Sequence, residues 1–145
     1  MEGTKSRLSI FWIFATLNFL YCDVVTVMDR TKDFAAGSVG GIHITQGFLL
    51  AAAVLVEIPI SMVLLSRVLS YRSNRLANIV AGVTMTAVQL VTLIVSAPRP
   101  YYIFFSVIEI ACTSAIVWYA ARWHAAEPAV PVRSQTLRHP AAATP

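Results

Sequence analysis

The most informative segment of the chain is residues 45–69, TQGFLLAAAVLVEIPISMVLLSRVL. From Gln46 to Ser66 the only charged residue is Glu57, and the next charged residue is Arg67 at the end of the segment. A hydrocarbon core about 30 Å thick is crossed by about 20 residues of helix. The segment therefore predicts a membrane-spanning helix. Thr45 stands in front of it and is a candidate N-cap.

Three further segments have the same length and apolar character, at 8–28, 77–95 and 101–118. Their connections are short apart from a loop at 29–44, and short connections make neighbouring helices antiparallel. We predict an all-α membrane protein, a four-transmembrane-helix up-down-up-down bundle within residues 1–124. The tail at 125–145 is rich in Ala and Pro and lacks apolar periodicity, so we predict that it is disordered and cytoplasmic.

The composition supports a chain whose outer solvent is the lipid bilayer. It is 57% hydrophobic and 12% charged, whereas soluble domains carry about 25% charged residues. The net charge of +4 does not indicate nucleic-acid binding, because the basic residues lie in short loops and tails. Cys22 and Cys112 form no C-x-x-C motif, which argues against a thiol–disulfide oxidoreductase and a zinc site. We predict no metal and no cofactor.

Lysine and arginine counts predict the orientation. Eight of the eleven Lys and Arg residues flank the N-terminus, the second connection and the tail, and the other three are Arg30, Lys32 and Arg99. The positive-inside rule then places both termini in the cytoplasm of a cell with an inner (plasma) membrane. Lys5 and Arg7 precede an apolar run as in a signal peptide, but the run is long and lacks a small-x-small cleavage site. We interpret it as a retained helix.

Each predicted span carries polar side chains that lipid would not tolerate. Carboxyl groups at this depth are costly, so we expect them to face the bundle interior. With a rise of about 1.5 Å per residue, the candidates lie roughly 8–17 Å from the outer ends of their spans. They form a polar layer in the outer half and middle of the membrane, and the inner half is nearly bare apart from Asn78 and small hydroxyl side chains. The candidate ligand or proton site comprises Glu57, Glu109, Asp23, Gln89 and Asn18.

Three carboxyl groups without a deep Lys or Arg cannot all stay ionised at low cost. A carboxyl can remain protonated and donate a hydrogen bond, exchange protons during a cycle, or bind a cation or an amine. Arg99 and His43 are candidate partners for Asp23. Pro59 adds a predicted helix kink beside Glu57, because its missing N–H frees a backbone carbonyl. Helix packing alone is the competing explanation of these features.

Several segments together resemble a family of small bacterial four-helix membrane proteins of unknown function. They are Phe19–Val24, Gly37–Ile42, Ile44–Leu50, Glu57–Pro59 and Tyr101–Ile110. The resemblance covers nearly everything except the tail, and the family is loosely similar in size and helix number to the DoxX-like membrane proteins. It implies the four-span fold and a bacterial inner-membrane location, and it carries no activity.

Three functions stay open. The first is a small proton- or cation-coupled transporter, with Glu57 as the proton or cation site, Glu109 as its partner and Asp23 as the outer gate; it predicts a homodimer. The second is a non-catalytic accessory or assembly subunit that binds a partner membrane subunit. The third is a quinone-linked redox subunit. The sequence shows no nucleophile–base pair and no set of metal ligands, which favours a protein that is not an enzyme.

Overall fold

Four long helices dominate the structure, a computed structural model that describes residues 2–39, 42–95 and 98–123. They are α1 (Glu2–Asp29), α3 (Gln46–Val68), α4 (Tyr71–Val95) and α5 (Pro100–Arg122). All four are long and apolar enough to cross a membrane. Between α1 and α3 the chain forms a short helix and two short strands, which are α2 (Thr31–Ala35), β1 (Ser38–Val39) and β2 (Ile42–His43). The predicted disordered tail lies outside the described residues.

Three of the long helices extend beyond the apolar segments from which they were predicted. α1 begins at Glu2, six residues before the predicted span, and α4 begins at Tyr71, six residues before 77. α5 continues to Arg122 instead of ending at 118. Apolarity ends where charged side chains begin, but Arg and Lys are good helix formers and the backbone ladder continues through them. Hydropathy therefore marks the lipid-compatible part of each helix and not its ends.

The expectation of helices alone was incomplete, because residues 29–44 are more than a loop. β1 and β2 pair antiparallel, with Ser38 opposite His43 and Val39 opposite Ile42. Gly37 has a φ of 73°, a left-handed conformation that glycine adopts without steric cost, and it ends α2. The predicted N-cap is confirmed, since the Thr45 hydroxyl accepts a hydrogen bond from the Phe48 N–H at 3.1 Å.

The helices form a ring in which α1 and α4 each pack against both α3 and α5. At one end, which we call the termini end, Tyr71 of α4 donates a hydrogen bond to the carbonyl of Trp123, at the end of α5 (2.6 Å). At the other end, which we call the hairpin end, Arg99 forms an ion pair with Asp29 (3.2 Å). The β-hairpin therefore lies at the opposite end of the bundle from the beginning of α1.

The interior is filled by large apolar side chains in the middle of the bundle and towards the termini end. The core is centred on Leu8, Trp12, Met62, Met85 and Ile116.

The approach of α4 to α5 requires a glycine. A Cβ on Gly82 would lie 2.6 Å from Cγ2 of Val117 and 3.3 Å from the carbonyl oxygen of Thr113. Small residues at such positions let helix backbones approach closely.

Candidate functional site

A buried hydrogen-bond network ties the helices together near the termini end. Asn78 of α4 is its centre: its Oδ1 accepts from the Trp12 indole N–H at 2.7 Å and from the Ser66 hydroxyl at 3.2 Å. Its amide nitrogen donates to the side-chain and backbone oxygens of Asn74. Asn74 in turn donates to the Ser66 carbonyl. These polar groups of α1, α3 and α4 satisfy one another, as buried polar groups must when water is absent.

This network is larger than the sequence predicted, because Trp12 and Asn74 join Asn78 and the hydroxyl groups that were expected in the inner half. Ser9, Ser66, Asn74 and Asn78 are all fully buried there. The periodicity pointed to Asn78, but Trp12 had been counted as apolar and Asn74 fell outside the predicted span. An Asn pair at i and i+4 places both amides on one face of α4. The network joins three helices and is a structural feature of the fold.

A cavity of about 630 Å³ opens at the hairpin end. Its walls are mainly apolar and come from the β-hairpin, α3 and the end of α4, including Val39, Ile42 and Phe48. Two charged side chains also line the cavity, those of Asp23 in α1 and of Arg30, the residue that follows α1. Pockets of a few hundred cubic ångströms with a small number of polar groups are typical ligand sites.

Below the cavity lies Glu109 of α5, which is 1% exposed. Neither of its carboxylate oxygens accepts a hydrogen bond from any group in the described part of the chain. Asp23, on the neighbouring helix α1, is the second carboxyl at the hairpin end. A buried carboxylate without partners is costly, so this position requires a proton, a cation or a hydrogen-bond donor from outside the protein.

Polar side chains connect the floor of the cavity to the level of Glu109. The Tyr102 hydroxyl donates to Thr92 at 3.0 Å, and both residues line the cavity. One turn deeper, the Gln89 amide donates to the Ser106 hydroxyl at 2.7 Å. Glu109 follows Ser106 on the same face of α5, and both side chains are buried, so the carboxyl of this helix does face the interior as expected.

The structure brings together only part of the predicted site. Asp23, Gln89 and Glu109 lie at the hairpin end of the interior. Asn18 is half-buried and its amide donates only to the Phe14 carbonyl of its own helix, at 2.9 Å. Asn18 therefore behaves as a locally satisfied side chain.

Glu57 does not face the interior, and the expectation that it would is wrong. Its side chain is exposed on the outer surface of α3, where the Ser61 hydroxyl donates to its Oε1 at 3.1 Å. The buried face of α3 carries Pro59, Met62 and Ser66, and Ser66 is about 180° around the helix from Glu57. The network around Asn78 fixes this rotation, because Ser66 must face α4. Pro59 lies inside the continuous helix, with its ring buried.

The expected partners of Asp23 are also placed differently. Arg99 forms its ion pair with Asp29, to which the Tyr101 hydroxyl also donates at 3.3 Å. His43 is exposed on β2. Sequence reasoning did not identify Arg30 or the hairpin residues as cavity walls, because their positions depend on the folding of the connection between α1 and α3.

Four helices that are long and apolar enough to cross a membrane, and that bury polar side chains between them, indicate a multi-pass membrane protein. Residues 1–130 match the family described as "Family of unknown function (DUF6326)". The chain belongs to this family. No curated protein matches it. No solved structure matches it either.

Proposed function

We propose that the chain is an integral protein of a bacterial inner membrane, with four helices running up-down-up-down and both termini in the cytoplasm. Every long helix has a length of 23 residues or more, enough for a hydrocarbon core about 30 Å thick. The excess of Lys and Arg at the termini end supports this orientation. The cavity at the hairpin end then faces the outside.

Within this arrangement the protein is a small proton- or cation-coupled transporter, and Asp23 and Glu109 form its coupling site. One observation carries this proposal: Glu109 is fully buried, its two oxygens accept no hydrogen bond from the described residues, and it lies beneath an open cavity that contains Asp23. Intramembrane carboxyls in such positions mark ion and proton pathways.

The two carboxyls differ in access, which gives them different roles. Asp23 is exposed to the cavity and receives the proton or cation from the outside. Glu109 is enclosed and binds it next, since binding supplies the partner that the described residues do not provide. Below Glu109 the core around Met85, Ile116 and Trp12 closes the interior. Release towards the termini end then requires the helices to move, and in this proposal the open cavity belongs to an outward-open state.

The test is ion flux into proteoliposomes made from the purified full chain. Vesicles containing a trapped pH-sensitive dye are given an inward proton gradient, and parallel vesicles are given sodium or potassium gradients with the matching indicator dyes. Asp23→Asn and Glu109→Gln keep the size of each side chain and remove its charge. We expect each to reduce the flux of the coupled ion at least tenfold. Asn18→Ala, which removes a polar group from a span outside the site, is the control and should keep wild-type flux.

Wild-type vesicles without flux of protons, sodium or potassium would contradict the proposal. Equal flux in Glu109→Gln and the wild type would contradict the assignment of the site. If Glu57→Gln abolished flux while Asp23→Asn retained it, the coupling residue would be Glu57, the one that the sequence alone had indicated, at its position on the outer face of α3.

A further inference from the structure

Glu57 occupies the middle of the outward face of α3. It is eleven residues from Gln46 and eleven from Val68, the two ends of the helix. At about 1.5 Å per residue it is roughly 16 Å from each end, which is the midplane of a bilayer spanned by this helix. α3 is also the least buried of the four long helices. Glu57 therefore stands where a monomer would expose it to the centre of the lipid.

No cation within α3 can neutralise this carboxyl. The helix has one basic residue, Arg67, and its side chain donates to Ser9 at the termini end. Ser61 occupies one oxygen of Glu57 and leaves the other available. Carboxyl groups in the membrane almost always face protein or a water-filled cavity, because lipid supplies no hydrogen-bond partner. Something other than lipid should cover this face.

The shape of the surface permits close contact with another helix. Glu57 and Ser61 lie in a shallow groove of about 320 Å³, whose other walls are Val54, Ile58, Met62 and Leu65. Ala53 precedes Glu57 by one turn and Ser61 follows it by one turn. Small residues on both sides of a polar one let two backbones approach and let the polar groups bond across the contact.

We propose that this face of α3 binds a second copy of the chain, about a two-fold axis along the membrane normal that brings the two Glu57 side chains together. A carboxylic acid both donates and accepts, so two Glu57 carboxyls that hold at least one proton satisfy each other. A different partner would have to carry a polar side chain at the same depth, whereas a second copy brings a matching carboxyl there by symmetry. A two-fold contact uses one patch on both subunits, and Glu57 with its groove is self-complementary in this way.

The first experiment maps the interface by cysteine cross-linking of the full chain in lipid nanodiscs large enough for two copies. Cys22 and Cys112 are buried and away from this face, so both are replaced by Ala, and folding is checked by circular dichroism. A single cysteine is then placed at Val54 beside Glu57, or at Val83 in the middle of α4 as the matched control. The two valines are similarly exposed, at 60% and 53%. Oxidation should cross-link Val54→Cys at least ten times faster than Val83→Cys.

The second experiment measures dimer dissociation by energy transfer between labelled chains, as lipid is added to dilute them. Glu57→Val suits a lipid-facing position and should fold as a monomer, with a dissociation constant at least tenfold higher than that of the wild type. Glu57→Gln keeps a donor and an acceptor and should stay within about threefold. A wild-type chain that is monomeric at all dilutions, equal cross-linking at the two valines, or unchanged dimerisation in Glu57→Val would each overturn the proposal.

Discussion

Replacing Asn78 with Ala tests whether the buried network at the termini end holds α1, α3 and α4 together. Asn78 takes part in four hydrogen bonds, with Trp12, Ser66 and two oxygens of Asn74. Two of these bonds cross between helices, from Trp12 of α1 and from Ser66 of α3, and at about 0.6 kcal/mol each they give roughly 1.2 kcal/mol. The indole N–H of Trp12 then loses its acceptor while buried, which costs about 1 kcal/mol more. We expect Asn78→Ala to lower the free energy of unfolding by about 2 kcal/mol.

The matched control is Asn18→Ala, the same substitution at an amide that bonds only to its own helix. It should cost at most about 0.6 kcal/mol. Both variants are unfolded reversibly by titrating dodecyl sulfate into mild-detergent micelles, and helicity reports the transition. A double-mutant cycle with Trp12→Phe isolates the indole bond, for which we expect a coupling energy of about 1 kcal/mol. If Asn78→Ala and Asn18→Ala destabilise the protein equally, the network does not stabilise the fold.

Two further substitutions probe the interior at other points. Gly82→Ala should destabilise the protein by about 1–2 kcal/mol, because the clash with Val117 outweighs the gain in helix propensity. Adding Val117→Ala should recover most of this loss in the same unfolding assay. If Gly82→Ala stabilised the protein instead, α4 and α5 would not be in close contact. Glu109→Met should raise the free energy of unfolding by about 1–3 kcal/mol, since it removes a buried carboxyl that lacks partners among the described residues. The same variant should lose ion flux. If Glu109→Met were less stable than the wild type, Glu109 would have a structural partner.

Four apolar helices could be predicted from the sequence because the signal for them is one of composition, averaged over about 20 residues, and needs no knowledge of tertiary contacts. The face that each helix turns inward was predictable only in part. On α5 the stripe of Ser106, Glu109 and Thr113 is the one polar face, and it is buried. On α3 there are two polar faces, one with Glu57 and Ser61 and one with Ser66. Periodicity gives both and does not rank them, since the choice depends on the neighbours of α3.

The candidate site could also be predicted only in part from the sequence. Depth along the helices correctly associated Asp23, Gln89 and Glu109 because depth follows from counting residues. The cavity itself depends on the β-hairpin, whose pairing arises from a connection that carries no apolar pattern. Trp12 shows the converse error, because an indole counts as apolar in hydropathy although its N–H must find an acceptor when it is buried.

The polar groups of this bundle divide by whether the chain satisfies them, and this division separates structure from function. Asn74, Asn78 and Ser66 have partners and need nothing else. Glu109 has none among the described residues, and Glu57 has only Ser61. A membrane interior is an expensive place for an unsatisfied carboxyl, so each of these two implies a binding event outside the chain. Glu109 is enclosed and can be reached only by something small, whereas Glu57 lies on an open face that another helix can cover.

Helix α3 takes part in both proposals. Phe48 and Ala52 line the cavity, and they lie on the side of α3 opposite Glu57. A contact between two copies at Glu57 would therefore act directly on one wall of the cavity. Ion flux through Glu57→Val in proteoliposomes tests whether the contact between copies affects transport.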